Sequence, residues 1–220
     1  MIIAIDGPAG AGKSTVAKLV ARKLGFFYID TGAMYRALTL KVLREKIDLN
    51  DTHKIIDAAS DTGIDLINNP DGSLKVLLGG KDVTSQIREP YITKVVSDIA
   101  KIKEVRDVML GFQRSFGRRG NSVLDGRDIG TVVFPDADKK FYIDAQFPER
   151  VKRRHQELNG LAQAVSITEV EADLRNRDTI DSTRETAPLR KADDAVYVDT
   201  TDMNIEEVVN KLLDCINKDK

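Results

Sequence analysis

The run Gly7-Pro8-Ala9-Gly10-Ala11-Gly12-Lys13-Ser14-Thr15 fits the spacing G-x-x-x-x-G-K-[ST], whose chemistry is phosphate binding. Glycines let a backbone wrap closely around a phosphate with several N–H groups pointing inward. A helix opening directly after the loop adds partial positive charge at its N-terminus. Lys13, expected to face solvent, would reach the outer phosphates of a nucleoside triphosphate, and Ser14 would bind its magnesium ion. The flanks suit this reading. Met1 to Ile5 forms a short apolar run, and Val16, Ala17, Leu19, Val20 and Leu24 recur at helical spacing.

A phosphate loop alone does not separate motors, switches and small kinases. Three further segments carry groups suited to phosphate and base recognition. Asp30-Thr31-Gly32-Ala33-Met34-Tyr35-Arg36 sets a hydroxyl, an aromatic ring and a guanidinium after a second apolar run, Phe26 to Ile29. Asp125-Gly126-Arg127-Asp128-Ile129-Gly130-Thr131-Val132-Val133-Phe134-Pro135 holds an arginine between two carboxylates after Ser122-Val123-Leu124. In Asn176 to Leu189, Arg177, Asp181 and Arg184 are spaced at four and three, so one helical face or turn can present all three. Twelve of the sixteen arginines follow residue 105, although the net charge is −1. Local charge-paired clusters explain both facts, and arginine makes bidentate, permanently charged contacts to phosphate.

The elements that must position these groups alternate. Strands are expected at Met1–Ile5, Phe26–Ile29, Ser122–Leu124, Lys140–Ala145 and Ala195–Asp199, with helical patterns between them and a terminal apolar-striped helix containing Cys215. Alternation of this kind predicts an α/β fold in three layers, a five-stranded parallel sheet covered by helices on both faces. Ligands then sit beyond the carboxyl ends of the strands, where Asp6, Asp30, Asp125 and Asp199 fall. Helices are predicted at about 33–46, 52–60, 91–102 and 103–116. Residues 63–88 break the alternation, because Asn68-Asn69-Pro70-Asp71-Gly72-Ser73 between two apolar runs signals a hairpin and Lys81–Thr84 a further short strand. Residues 149–159 and 168–178 read as very polar helices suited to a loosely packed, mobile lid spanning 149–190. Ser97 and Arg106 lie on polar helical stretches that also fit a plain surface.

At 220 residues the chain can bury a full core as one domain, and 41% hydrophobic with 31% charged residues is ordinary for a soluble enzyme. The near-zero net charge gives no field for nucleic acid or an anionic membrane. No apolar run approaches a membrane span, and the apolar start is too short for a signal peptide. One cysteine excludes an internal disulfide, and two histidines, His53 and His155, offer no zinc site; a cytoplasmic monomer is expected, with Cys215 a half-buried packing thiol.

With the three segments in place, the chain resembles the bacterial cytidylate kinases, and the resemblance covers its whole length, the insertion at 63–88 included. It implies a phosphate-loop kinase that moves the γ-phosphoryl group of ATP to CMP or dCMP, with Mg²⁺, small nucleotides as its only partners, a monophosphate-binding region over 31–105 and a helical lid. Thr31 stands where many relatives carry serine, which keeps the hydroxyl. By this resemblance Arg36 and Arg127 hold the acceptor phosphate; Lys13, Arg153, Arg154 and Arg177 attend ATP and the transferred group; and Asp125 holds metal-bound water. Thr31, Ser97, Arg106, Asp128 and Arg184 would form the cytosine pocket, with Tyr35 beside them and Arg177 and Asp181 on the ribose.

Two alternatives remain at this level, another small-molecule phosphate-loop kinase of UMP or shikimate type and a nucleotide-operated switch. A shikimate-type kinase shares the start of the chain, but its acidic pair D-x-D is here Asp30-Thr31-Gly32 without the second acid. A nucleotide-operated switch that reads guanine needs N-K-x-D, and Asn217-Lys218-Asp219-Lys220 has the aspartate one place early.

Overall fold

A computed structural model describes residues 1–160 and 165–218; the predicted lid falls partly outside these, as does Asp219 of the terminal run. The core strands are β1 (Ile2–Asp6), β2 (Phe27–Asp30), β6 (Ser122–Gly126), β7 (Lys139–Asp144) and β8 (Val196–Asp199). Between β2 and β6 lie three short strands, β3 (Ile64–Asn68), β4 (Leu74–Leu78) and β5 (Lys81–Asp82). The helices in chain order are α1 (Lys13–Leu24), α2 (Thr31–Arg44), α3 (Thr52–Ser60), α4 (Pro90–Ala100), α5 (Lys103–Gly117), α6 (Phe147–Gly160), α7 (Ile167–Thr183) and α8 (Ile205–Asn217).

The core sheet runs β2-β6-β1-β7-β8 and is parallel throughout, as the alternating pattern predicts. Successive side chains point to opposite faces. Ala4, Ile29 and Leu124 therefore face one cluster, closed by Met34, Leu38, Ile92, Met109 and Phe116 from α2, α4 and α5. Their neighbours Ile3, Ile5, Tyr28 and Val123 face the other, closed by Val16 and Val20 of α1 and Val208 and Leu212 of α8. Two covered faces explain why these strands read as continuous apolar runs. Cys215 packs, half-buried, against the second cluster.

The register decides where chemistry can occur. Asp30 pairs with Asp125, Asp6 with Gly126 and Tyr142, and Asp144 with Asp199, so all five strands end at one edge of the sheet, with β7 and β8 running slightly beyond the others. The predicted insertion is an antiparallel sheet of β3, β4 and β5, with Ile64 opposite Leu78 and β5 shorter than expected. Ile64, Leu66, Val76 and Leu78 pack into the first core cluster, and one polar side chain adds a staple: Asn68 Oδ1 accepts from the Tyr28 N–H at 2.9 Å and Asn68 Nδ2 donates to the Tyr28 carbonyl at 3.0 Å. The amide thus continues the hydrogen-bond ladder at the exposed edge of β2.

Three local features depart from the sequence reading. Helix α2 starts at Thr31 rather than near Ala33, because the Asp30 carboxylate accepts from the Ala33 N–H at 2.7 Å and caps it. A π-helical turn, Ile129–Val133, follows β6 where the sequence pattern gives only a loop. It is held from below by Asp6, whose two carboxylate oxygens accept from the Ile129 and Gly130 N–H groups, each at 2.8 Å. Helices α6 and α7 are not purely polar; Val151, Leu158, Val170 and Leu174 form a small apolar cluster with Ala9 of the phosphate loop.

The packing of α5 on this turn leaves no spare room. A methyl at Gly117 would lie 2.6 Å from two ring carbons of Phe134, itself buried. Overpacking of this kind costs about 1–3 kcal/mol. Gly117→Ala is expected to lower Tm by roughly 2–12 °C in a chain of this size. An unchanged melting curve would mean that Phe134 moves aside freely.

Candidate active site

A cleft of about 660 Å³ opens along the line of strand ends. Its floor is the phosphate loop from Ala9 to Thr15; Gly7 and Pro8 lie buried behind it. Gly7 and Gly10 have φ of +148° and +77°, and a Cβ would meet the Ile143 carbonyl oxygen at 1.9 Å and the Arg150 carbonyl oxygen at 2.9 Å. Only glycine allows this loop to lie so close to β7 and α6.

Lys13 corrects the sequence reading. It is not solvent-facing but 5% exposed, and its Nζ donates to the Pro8 carbonyl at 2.6 Å. Burial, helped by the nearby Arg127 charge, lowers its pKa to about 7. Burial likewise raises Asp6 to about 7, and burial with the neighbouring Asp30 raises Asp125 to about 6. Ser14 Oγ donates to Asp125 Oδ2 at 2.7 Å, and the Tyr28 hydroxyl donates to Asp125 Oδ1 at 2.8 Å. No group of three or more His, Cys, Asp or Glu side chains able to hold a metal ion occurs among the described residues. The Ser14–Asp125 pair nevertheless fits magnesium, which keeps most of its waters and takes its other oxygens from phosphates.

The predicted acceptor residues converge in the same cleft. Arg106 Nη2 donates to Asp128 Oδ2 at 2.5 Å; Arg184 lies 3.6 Å from Asp128 and 3.5 Å from Asp181; Arg127 Nε donates to Asp181 Oδ2 at 2.8 Å. Cations and carboxylates thus alternate from α5 through the end of β6 to α7. Burial pushes the Asp181 carboxyl up, but Arg127 and Arg184 outweigh it and hold the group below the usual carboxylate range. Arg36 pairs with Asp30 at 3.2 Å, and Thr31 Oγ1 donates to the Asp125 carbonyl at 2.7 Å. Ser97 and Arg106 are buried, not surface residues, and the Arg106 guanidinium sits 5.6 Å above the Tyr35 ring. Arg177 lies 3.7 Å from Asp173, with its pKa lowered to about 10 by burial and then by Arg127.

Both lid arginines expected at ATP line the cleft, but differently. Arg153 is tied to the loop after β8, donating to Thr200 Oγ1 at 2.9 Å and the Thr200 carbonyl at 2.6 Å, whereas Arg154 pairs with Glu157 at 2.8 Å. Seven buried side-chain polar atoms among the described residues have no hydrogen-bond partner. Five are arginine nitrogens in this cleft, on Arg36, Arg106, Arg154, Arg177 and Arg184. Buried donors are normally satisfied, so unpaired guanidinium N–H groups gathered in one place fit an anion that the protein does not itself supply.

Sequence reasoning missed Tyr28 and Thr200, and it marked Asp6 as a strand end without its role. Thr200 carried a readable signal, since it follows Asp199 at a marked strand end. Tyr28 and Asp6 act through partners about a hundred residues away in sequence.

The buried lysine makes nucleotide binding proton-linked. At pH 8 a Lys13 with a pKa of about 7 is mostly uncharged, and a bound triphosphate restores its charge. Binding at pH 8 is therefore expected to take up close to a full proton. The uptake should fade towards pH 6, where the lysine is already charged. Calorimetry in buffers of different ionisation enthalpy measures this, and Lys13→Met should remove most of the uptake.

Comparison with known proteins agrees with this geometry. The family described as "Cytidylate kinase" matches residues 3–218. The cytidylate kinase of Caldanaerobacter subterraneus subsp. tengcongensis is 50% identical, covering 98% of this chain and 94% of its own. Those of Carboxydothermus hydrogenoformans and Clostridioides difficile are 49% and 48% identical, each covering 99% of this chain and 98% of their own. A solved structure of an uncharacterized protein from Eubacterium ventriosum covers 99% of this chain and 98% of its own, with a TM-score of 0.53 at 11% identity, and bears on the fold alone. The cleft of paired and unpaired arginines above a phosphate loop, with near-half identity along the full length, leads to one conclusion: the chain belongs to the cytidylate kinase family.

Proposed function

We propose that this chain transfers the γ-phosphoryl group of ATP to CMP or dCMP, yielding ADP and CDP or dCDP. The observation that carries the reading is a set of five arginines that line the same cleft as the phosphate loop, each with a buried guanidinium nitrogen that has no hydrogen-bond partner. Two polyanions must meet in this reaction, so positioning and charge neutralisation supply most of the catalysis. The attacking oxygen of the CMP phosphate is already ionised. No general base is needed, in keeping with a cleft wall that contains no histidine among the described residues. A bond forms from that oxygen to the γ-phosphorus as the bond from the γ-phosphorus to the ADP oxygen breaks.

In this reading the loop N–H groups and Lys13 cradle the triphosphate, and Arg153 and Arg154 flank it from α6. Arg36 and Arg127 hold the acceptor phosphate, while Arg127, Arg177 and Lys13 steady the group in transfer. Ser14 and, through water, Asp125 would hold a magnesium ion, which when bound neutralises phosphate charge and fixes the triphosphate geometry. Asp128, Thr31, Ser97, Arg106 and Arg184 would read cytosine beside Tyr35, and Arg177 and Asp181 would hold the ribose. Residues 31–105 act as the acceptor region and 149–190 as a lid that closes to exclude water. Small nucleotides rather than nucleic acid suit the net charge of −1, and a reducing cytoplasm suits a chain with one cysteine.

ADP release from Mg-ATP against a panel of nucleoside monophosphates and shikimate tests the proposal, with CMP expected to lead. Asp128 can accept from the cytosine amino group, whereas uracil presents a carbonyl there. Each buried polar group left unpaired costs about 1–3 kcal/mol, so UMP should be at least about tenfold poorer in kcat/KM. In Asp128→Asn the amide can turn its NH₂ to uracil, so the CMP-to-UMP ratio should narrow while CMP activity falls. Equal use of UMP by the wild type, or an unchanged ratio in the variant, would remove Asp128 as base reader and leave it the partner of Arg106 and Arg184.

A further inference from the structure

The R-D segment of α7 contains one acid that the proposed reaction does not use. Asp178 follows Arg177 but does not line the cleft, and neither does Arg150 of α6. Both reach the back of the phosphate loop and converge on a single residue. Arg150 Nη1 donates to the Ala9 carbonyl at 2.9 Å, and the Ala9 N–H donates to Asp178 Oδ1 at 3.3 Å. The two side chains join each other, Arg150 Nη1 to Asp178 Oδ2, at 2.6 Å. Arg150 is 8% exposed and fixed on its other side, its Nε donating to the Ala145 carbonyl at 3.1 Å with the guanidinium over the Phe147 ring. The Ala9 methyl is buried among Val151, Leu158, Val170 and Leu174 of the same two helices.

We infer that Arg150 and Asp178 are positioning residues for phosphoryl transfer, a latch that fixes α6 and α7 to the Ala9 main chain and thereby places Arg177 over the phosphate loop. The inference rests on the function proposed above. Its physical basis is register. Asp178 adjoins Arg177 on α7, so holding one against the loop sets where the other projects. Both hydrogen-bonding groups of the Ala9 main chain are taken by charged side chains, and charge-assisted bonds are the stronger kind. While the latch is engaged, the loop that holds ATP and the helix that supplies Arg177 therefore form one piece.

The test uses the full chain with Asp178→Ala, Asp178→Asn, Arg150→Met and the double variant Arg150→Met/Asp178→Ala. ADP release with and without CMP is measured beside Tm. In folded Asp178→Ala, kcat should fall about tenfold or more, since the placement of Arg177 matters most in the transition state, while KM for CMP rises by a smaller factor through the ribose contact of Arg177. ATP hydrolysis without CMP should rise relative to transfer, because a displaced lid admits water. Asp178→Asn keeps an acceptor for the Ala9 N–H and should recover part of kcat. The double variant should be little worse than the poorer single, because both groups act on one residue. An unchanged kcat in Asp178→Ala, or single effects that multiply in the double variant, would overturn the latch. If Asp178→Ala does not fold, Asp178→Asn and Arg150→Met carry the same kinetic test. A wild type without CMP-dependent ADP release would overturn the function instead. Amide exchange then reads the latch without turnover: faster exchange in peptides over 5–12 and 168–182 of Asp178→Asn supports it, and unchanged exchange over 5–12 overturns it.

Discussion

Repulsion among gathered cations is the constraint on which the rest of this structure depends. Lys13 is depressed partly by Arg127, Arg177 by Arg127, and Arg184 by Arg106, each after the effect of its own burial. Two unit charges 4 Å apart interact by about 4 kcal/mol at an effective dielectric of 20. Several arginines at one cleft would therefore oppose folding if left alone. Carboxylates interleaved among them answer this. Asp128 lies between Arg106 and Arg184, and Asp181 lies between Arg184 and Arg127. The compensation is incomplete, as the unpaired guanidinium nitrogens record. What the protein carboxylates leave undone is suited to phosphates.

The sheet decides that these charges meet. Parallel strands in register bring Asp6, Asp30, Asp125, Asp144 and Asp199 to one edge, although they span nearly the whole sequence. Each then does a different task because its neighbours differ. Asp30 caps α2 and pairs with Arg36; Asp125 takes Ser14 and Tyr28; Asp6 holds the turn after β6 by two main-chain N–H groups. That turn follows Arg127 and Asp128 directly. A carboxylate at the mouth of the phosphate loop thus fixes the segment that carries Arg127 and Asp128, so the proposed donor and acceptor sides share one rigid support.

Much of this was legible in the chain because it is local. The phosphate loop is a contiguous pattern, the buried strands are apolar runs of limited length, and the hairpin is announced by Asn68 to Ser73. The convergence of Arg106, Asp128, Asp181 and Arg184 was reached only through resemblance, since spacing alone ties Arg184 to Asp181 but neither to Arg106. What stayed hidden depends on distant partners or on burial. Lysine in a glycine loop reads as exposed, but here it folds back on the Pro8 carbonyl and lies buried near Arg127, Asp125 and Asp181, which are distant in sequence. Tyr28 reads as one more apolar strand residue, yet its hydroxyl reaches a carboxylate 97 residues on. The π-helical turn has no period that a sequence pattern could reveal, and its cause, Asp6, lies more than a hundred residues earlier.

Stability and function pull against each other here, and the molecule confines the conflict in space. The two clusters on either face of the sheet are closed by apolar side chains. The groups whose ionisation is least comfortable, Lys13, Asp6 and Asp125, sit where the strands end at the cleft. In the function proposed here, phosphates that restore charge on Lys13 and supply acceptors to Arg36, Arg154 and Arg177, with a base that does the same for Arg106 and Arg184, relieve several unfavourable interactions together. Binding energy for phosphate is thus stored as incomplete solvation in the folded protein, on residues whose positions are already set by the carboxylates between them. Such preorganised polar groups need little rearrangement when charge shifts between donor and acceptor. In the proposed reaction, the discomfort of the site is what would favour holding two phosphates at once.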